Sequence, residues 1–237
     1  KRYSEYGGAG CLQGGLMAVW NLGSINIDNA YRVPHLPSAG ETISAKSHQK
    51  GLGGKGANMS VAIARGAASV THIGAVGADG VWAVERLMEY GVDTRHITKL
   101  ANEATGHANI AVADDGENQI IIYPGTNRMI TDDMIGGALA VASPGDILVM
   151  QNETNGQLRA AKIAKKMGLN VVYAAAPFEA EAITSVLPYT DLLVLNAVEA
   201  SQLKAVLGRS LKDFGVHNIV VTQGADGSCW IDALAKL

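Results

Sequence analysis

Residues 51–66, GLGGKGANMSVAIARG, admit three readings that exclude one another. Gly51-x-Gly53-x-x-Gly56 has the glycine spacing of a dinucleotide-binding turn, and Gly54-Lys55 has the Gly-Lys pair of a P-loop. The third reading is a glycine turn that sets Lys55 and Asn58 against something other than a nucleotide. A dinucleotide turn requires an apolar strand directly before its first glycine and an acidic residue about 20 positions on. Here residues 44–50, SAKSHQK, are too polar for a central strand, and Asp79 sits in the turn Gly77-Ala78-Asp79-Gly80. A P-loop needs Ser or Thr after Gly-Lys to hold magnesium, and Gly56 stands there instead. The third reading survives. Gly53-Gly54 permits close backbone approach, Lys55 supplies a cation, and Asn58 opens a helix whose first amides face the same space. That grouping suits a polyhydroxylated ligand that gains negative charge during reaction.

The surrounding chain is consistent with one large domain carrying a small excursion: 237 residues, 48% hydrophobic and 17% charged. Nineteen basic against 22 acidic residues give a net charge of -3 with no basic run, which argues against a nucleic-acid partner. No apolar stretch approaches the ~20 residues that cross a bilayer. Cys11 and Cys229 lie far apart and fit no metal spacing, so a reduced, cytoplasmic protein with free thiols is expected. Residues 1–16 lack both an apolar targeting core and amphipathic periodicity. They read as an appended or irregular leader before a domain spanning 17–237.

Residues 19–27 read as a buried strand and 30–50 as extended, edge-type structure that leaves the main sheet. A helix over 58–65, a strand over 70–77 and a helix over 81–90 closed by Gly91 follow. Alternating residues 108–113 and 119–123, joined by Asp114-Asp115-Gly116-Glu117, form a hairpin. Beyond it the pattern is regular: strands at 147–150, 171–174, 191–195 and 219–222, with helices at 157–167, 178–185 and 198–207. Such alternation implies a parallel sheet covered on both faces, with ligands bound beyond the carboxyl ends of its strands. The polar residues at those ends are Asn26 and Asp28, Gln151 to Thr154, Asn196 and Glu199, and Thr222 to Gly227. Each alone is explained by turn or cap chemistry; four in register are harder to dismiss.

With these residues assembled, the chain resembles the ribokinase-like (PfkB) family of carbohydrate kinases from Met17 to Trp230. The resemblance rests on GSINID at 23–28, GGKGAN at 53–58, YPGTN at 123–127, QNET at 151–154, LNAVEA at 195–200 and VTQGADG at 221–227, in the family's order. It implies a three-layer α/β/α sandwich with a mainly parallel central sheet and a small β-sheet lid from about 30–50 and 105–125. It also implies phosphoryl transfer from ATP, with Mg2+, to a sugar hydroxyl. By matched position, Asn26, Asp28, Gly54, Lys55, Asn58 and Glu153 would contact the sugar. Asn196 and Glu199 would address the ATP phosphates and the hydrated magnesium, Glu199 through water. Thr222, Gly224 and Gly227 would bring backbone close to the nucleotide. A monovalent cation belongs to the same expectation, though its site would lie outside the matched motifs. Ribose or a similar furanose is the favoured sugar, and the exposed edges of a small lid sheet suit a homodimer.

The resemblance breaks after Gly227. Family members continue to a Gly-Ala-Gly-Asp motif whose amides form an anion hole and whose aspartate takes the hydroxyl proton; here Ser228-Cys229-Trp230 runs to Leu237 without one. The chain is therefore expected to lack the C-terminal part of the fold and to be inactive in this form. Gly8-Ala9-Gly10-Cys11 lies at the wrong end, Asp146 precedes a strand, and Asp226 belongs to a turn, so none replaces the base. The tail 232–237 reads as a helical fragment. Competing expectations are a non-catalytic sugar- or nucleotide-binding module and, more weakly, a dinucleotide-dependent oxidoreductase.

Overall fold

The computed structural model describes residues 17–233. The leader 1–16, with Gly8-Ala9-Gly10-Cys11, and residues 234–237 lie outside the described residues. The main sheet takes its strands from β1 (Val19–Leu22), β4 (Val70–Gly77), β5 (Asp93–Leu100), β8 (Ile147–Met150), β9 (Asn170–Ala174), β10 (Leu192–Asn196), β11 (Asn218–Thr222) and β12 (Ser228–Asp232). Their order is β12-β11-β10-β9-β8-β1-β4-β5, parallel throughout except for β12. A four-stranded lid, ordered β3-β2-β6-β7, comes from β2 (Asn26–Arg32), β3 (Ser47–Gly53), β6 (Gly106–Val112) and β7 (Asn118–Tyr123).

Period-two patterning assigns the two faces of the main sheet. Trp20, Leu22, Ile73 and Ala75 point into one core, where α3 (Asp132–Leu139), α4 (Gln157–Lys166), α5 (Ala180–Val186) and α6 (Ala197–Leu207) supply Ile135, Ala160, Ile183 and Leu203. Val19, Val70 and Val76 point to the other, where α1 (Lys55–Arg65) and α2 (Val81–Glu89) supply Ala57, Ala83 and Leu87. The described helices cover this second face over β1, β4 and β5. Over β8 to β11 its residues Val149, Val172, Val194 and Val220 are only half-buried. The described helices thus cover one face of the sheet and part of the other, in a sandwich expected to lack its C-terminal part.

The expected single strand 19–27 is two. After Leu22 the chain turns through Gly23 and Ser24, and Asn26 starts the lid. The turn is forced by contact with α1: a Cβ on Gly23 would lie 2.5 Å from Gly56 Cα. The lid accordingly runs from Asn26 to Gly53 and from Gly106 to Tyr123, wider at its first segment than 30–50. Gly51 and Gly53 lie within lid strand β3, so they form no dinucleotide turn. The helix after them starts at Lys55, three residues earlier than expected. The polar edge strand β5 and the Thr131-capped helix α3 escape the periodicity argument altogether. Asp232 ends an antiparallel strand and not a helix, and the rest of the expected tail helix lies almost wholly outside the described residues.

A Cβ at Gly56 would lie 2.3 Å from Ser24 N and 2.4 Å from Gly23 C, both backbone atoms that cannot swing away. Gly56→Ala should lower unfolding stability in urea by roughly 1–3 kcal/mol. Gly51→Ala, with nothing within 4 Å of the added carbon, should stay within about 0.5 kcal/mol of wild type. Equal midpoints for the two variants would contradict this packing.

Candidate active site

Beneath the glycine turn lies a buried polar cluster drawn from four elements. Asn21 of β1 donates through Nδ2 to Gly56 O at 2.8 Å and to Ser60 Oγ at 2.7 Å. Ser60 Oγ lies 2.8 Å from His72 Nδ1, and His72 Nε2 lies 3.0 Å from Gly23 O. Gln151, just past β8, donates to Asn21 Oδ1 at 2.8 Å. Asn21, Ser60, His72 and Gln151 are all fully buried. Gly23 O can only accept, so Nε2 carries the imidazole proton, and Nδ1 accepts from the Ser60 hydroxyl. Burial holds the His72 pKa down to about 4, against the opposing pull of the Gly23 carbonyl. The ring is thus neutral, and the cluster ties the turn at Gly23 to α1.

Above it, the residue at the N-cap of α1 is Gly54, which offers no capping side chain. Gly54 has φ 92°, and a Cβ there would lie 2.8 Å from Ser24 O, so glycine is required twice over. The cap comes from elsewhere in the chain. Glu153 accepts from Lys55 N at 2.8 Å and from the Ser24 hydroxyl, while Ser24 Oγ accepts from Gly56 N at 3.2 Å. Lys55 Nζ stands 3.3 Å from Glu153 Oε1. Asp28 lies against Gly53, whose missing side chain leaves room for the carboxylate. Partial burial and then the nearby Glu153 charge raise the Asp28 pKa above the ordinary range. Asn26 Oδ1 accepts from Asn127 Nδ2 at 2.7 Å, which leaves the Asn26 amide hydrogens for other partners. A recess of ≈ 230 Å³ opens here, lined by Asn26, Ile122, Asn127, Arg128, Asn152 and Glu153 among others.

Five of the six expected sugar contacts, Asn26, Asp28, Gly54, Lys55 and Glu153, therefore surround one region. Asn58 departs from them. Because α1 starts at Lys55, Asn58 shares a helix face with Val61 and Arg65 and lines a different recess with them. Ser24 and Asn127 fall inside the quoted motifs and Asn152 inside the polar run 151–154, but none was given a role from the sequence. Nor were Asn21, Ser60 and His72, whose one signal is a polar residue inside an apolar strand or helix.

The expected nucleotide residues gather at the tips of β10 and β11, where Asn196 and Thr222 are register partners. Asn196 and Glu199 form a reciprocal cap on α6, Oδ1 accepting from Glu199 N and Oε2 from Asn196 N, each at 2.8 Å. Asn196, Thr222, Gly224 and Asp226 line a recess of ≈ 430 Å³. Gly227 does not line it; its φ of 89° serves the turn. This recess and the Glu153 recess open on the same edge of the sheet. β1 and β10 are three strand spacings apart in the sheet order, about 14 Å. Asp146, at the opposite edge, accepts from Ala18 N and Trp20 Nε1, each at 3.0 Å, and serves the sheet's other end.

A lid sheet over the strand tips of an α/β/α sandwich, with two polar recesses side by side, is the layout of a two-substrate small-molecule enzyme. The chain belongs to the pfkB family of carbohydrate kinases, whose model matches residues 18–236. The ribokinase of Haemophilus influenzae is 36% identical over 219 residues, covering 87% of this chain and 72% of its own length. The deoxyribokinase of Salmonella typhi is 30% identical over 225 residues, covering 89% and 73%. The structure of Arabidopsis thaliana ribokinase complexed with ribose and ATP superposes with a TM-score of 0.79 at 30% identity, over 93% of this chain and 76% of that one.

Neutral His72 sets a pH dependence whose sign follows from its lowered pKa. The unfolded chain takes up the proton near pH 6.5 and the folded one only near 4, so stability is complete above 6.5 and falls between those values. The expected loss in denaturant unfolding is roughly 2–4 kcal/mol across that window. In His72→Phe the fall should flatten, while the contribution of Asp28 and the other carboxylates is common to both proteins. Parallel pH profiles would contradict the assignment.

Proposed function

We propose that this chain binds a ribose-like furanose under the lid and a magnesium-bound ATP at the β10–β11 tips, for transfer of the terminal phosphoryl group to a sugar hydroxyl. The observation that carries the reading is the convergence at Glu153. One carboxylate meets the first amide of α1, the Ser24 hydroxyl and Lys55 Nζ, and its charge reaches Asp28. Asp28 and the Asn26 amide form an acceptor–donor fork for vicinal hydroxyls. Glu153 fixes the position of Lys55, which stands beside the helix start where negative charge is stabilised. The deoxyribokinase and ribokinase relatives favour a pentose over other sugars.

At the second recess, the α6 amides and the turn at Gly224 suit phosphate oxygens. Glu199 is buried, holds its cap through one carboxylate oxygen and does not itself line the recess, so its second oxygen would meet magnesium only through intervening water. Magnesium there would offset phosphate charge and align the transferred group. No proton acceptor for the sugar hydroxyl is assigned among the described residues. Two further expectations accompany the reading. β7 is an exposed edge strand bearing Ile120, Ile121 and Ile122, which suits pairing with a second lid. The exposed thiol of Cys229 suits the reducing cytoplasm, and no described helix is long and apolar enough to cross a membrane.

Calorimetry with ribose, 2-deoxyribose and fructose, and separately with magnesium-ATP, tests the division of labour. Saturable pentose binding is expected. Asp28→Ala should weaken it at least about tenfold, the scale of hydrogen bonds to a charged group, and leave the ATP affinity unchanged. Absence of binding by every sugar, or equal loss for sugar and ATP, would overturn the proposal.

A further inference from the structure

Strand alternation gives the lid a second face. Asp28, Ala108 and Ile122 stand opposite one another on the face toward the Glu153 recess, whereas Lys50, Asn29 and Asn109 occupy the reverse. Behind the lid, against α1 and α2, lies a separate recess of ≈ 470 Å³. Its volume falls within the range of small-molecule sites, about 300–1,000 Å³. Three cations line it: Lys50 from β3, Arg65 from α1 and Arg86 from α2. No carboxylate lines it among the described residues.

One of the three cations has a carboxylate partner and two have none among the described residues. Arg86 pairs with Glu89 at 2.7 Å. Lys50 and Arg65 have no ion-pair partner among the described residues, and each lies over an aromatic ring, Trp82 and Tyr90 respectively, both at 5.0 Å. Asp79 lies within the field of Lys50 but accepts hydrogen bonds from Thr105 N and Oγ1. Trp82, on the wall, keeps a buried Nε1–H with no acceptor in the protein. Two unpaired cations from different elements and a third nearby make a site that calls for an anion with several acceptor oxygens, beside an indole whose N–H is enclosed in the protein. The apolar side of the wall, from Leu52, Val61 and the rings, gives room for an organic body beyond the anion.

We propose that this recess binds a small phosphate monoester, with Lys50 and Arg65 on the phosphate and Trp82 beside it. The site is separate from both recesses of the kinase reading and does not rest on that reading. Its position has a structural consequence: an occupant would join β3 at Lys50, three residues before the Gly53 on which Asp28 packs, to the body of α1 and α2.

The chain has three tryptophans, Trp20, Trp82 and Trp230, so an 15N-labelled sample reports each indole N–H separately, with Trp82→Phe assigning the relevant signal. Titration at constant ionic strength with inorganic phosphate, a pentose 5-phosphate, the free pentose and chloride should move the Trp82 signal saturably with the two phosphates alone. Arg65→Ala and Lys50→Ala, both at exposed positions, should each raise the apparent Kd roughly tenfold, one charge-assisted contact apiece. Lys55→Ala should leave it unchanged, which separates this site from the sugar recess. A Trp82 signal that ignores the monoester, follows chloride equally, or responds undiminished in Arg65→Ala would overturn the assignment.

Discussion

The site rests on a backbone contact between Gly23 and Gly56, held closed by a buried histidine. Two glycines meet where β1 ends and α1 begins, too close for any side chain on either. That contact directs the chain out of the main sheet at Ser24 and points the amides of α1 at the strand tips. Close packing alone would leave the buried backbone carbonyl of Gly23 unmet. His72 meets it, Asn21 adds a side-chain bond to the helical carbonyl of Gly56, and Ser60 and Gln151 complete the cluster. A neutral imidazole suits the place because the carbonyl needs a donor and the serine hydroxyl an acceptor. The isolated buried charge of an imidazolium would carry a large desolvation cost.

From that fixed turn the reactive groups follow with little further freedom. The first amides of α1 need an acceptor that Gly54 cannot provide, and Glu153 arrives from the β8 tip to supply it. The same carboxylate then draws in Lys55 and raises the Asp28 pKa. In the proposed reading, a capping group and a ligand-positioning group are thus one residue. At α6 a carboxylate likewise holds the helix start: Glu199, buried and outside the recess lining, caps Asn196 N through Oε2. On the same proposed reading, a helix cap and a binding group therefore coincide at both recesses.

Much of this was legible in the sequence where local chemistry is decisive. Strands β8, β10 and β11 announce themselves as short apolar runs, and the polar residues after them fall at the expected strand tips. The rejection of the dinucleotide turn also needed only local facts, since residues 44–50 are too polar for a central strand. What could not be read depends on contacts distant in sequence. β5 and the break at 23–25 are set by neighbours, not by their own periodicity. Asn58 lines a separate recess because α1 starts at Lys55, with a cap supplied from Glu153, 98 residues away. Asn21, Ser60 and His72 could have been flagged as polar residues in apolar settings, but their mutual contact is tertiary.

The most direct test is a crystal structure of the chain grown with ribose and a non-hydrolysable magnesium-ATP analogue. The account requires the sugar hydroxyls within hydrogen-bond distance of Asp28 and the Asn26 amide, near Lys55, and the triphosphate at Asn196 and Thr222 running toward them. Sugar lodged away from Asp28 and Glu153, or phosphates seated on the Gly51–Gly53 strand, would contradict it.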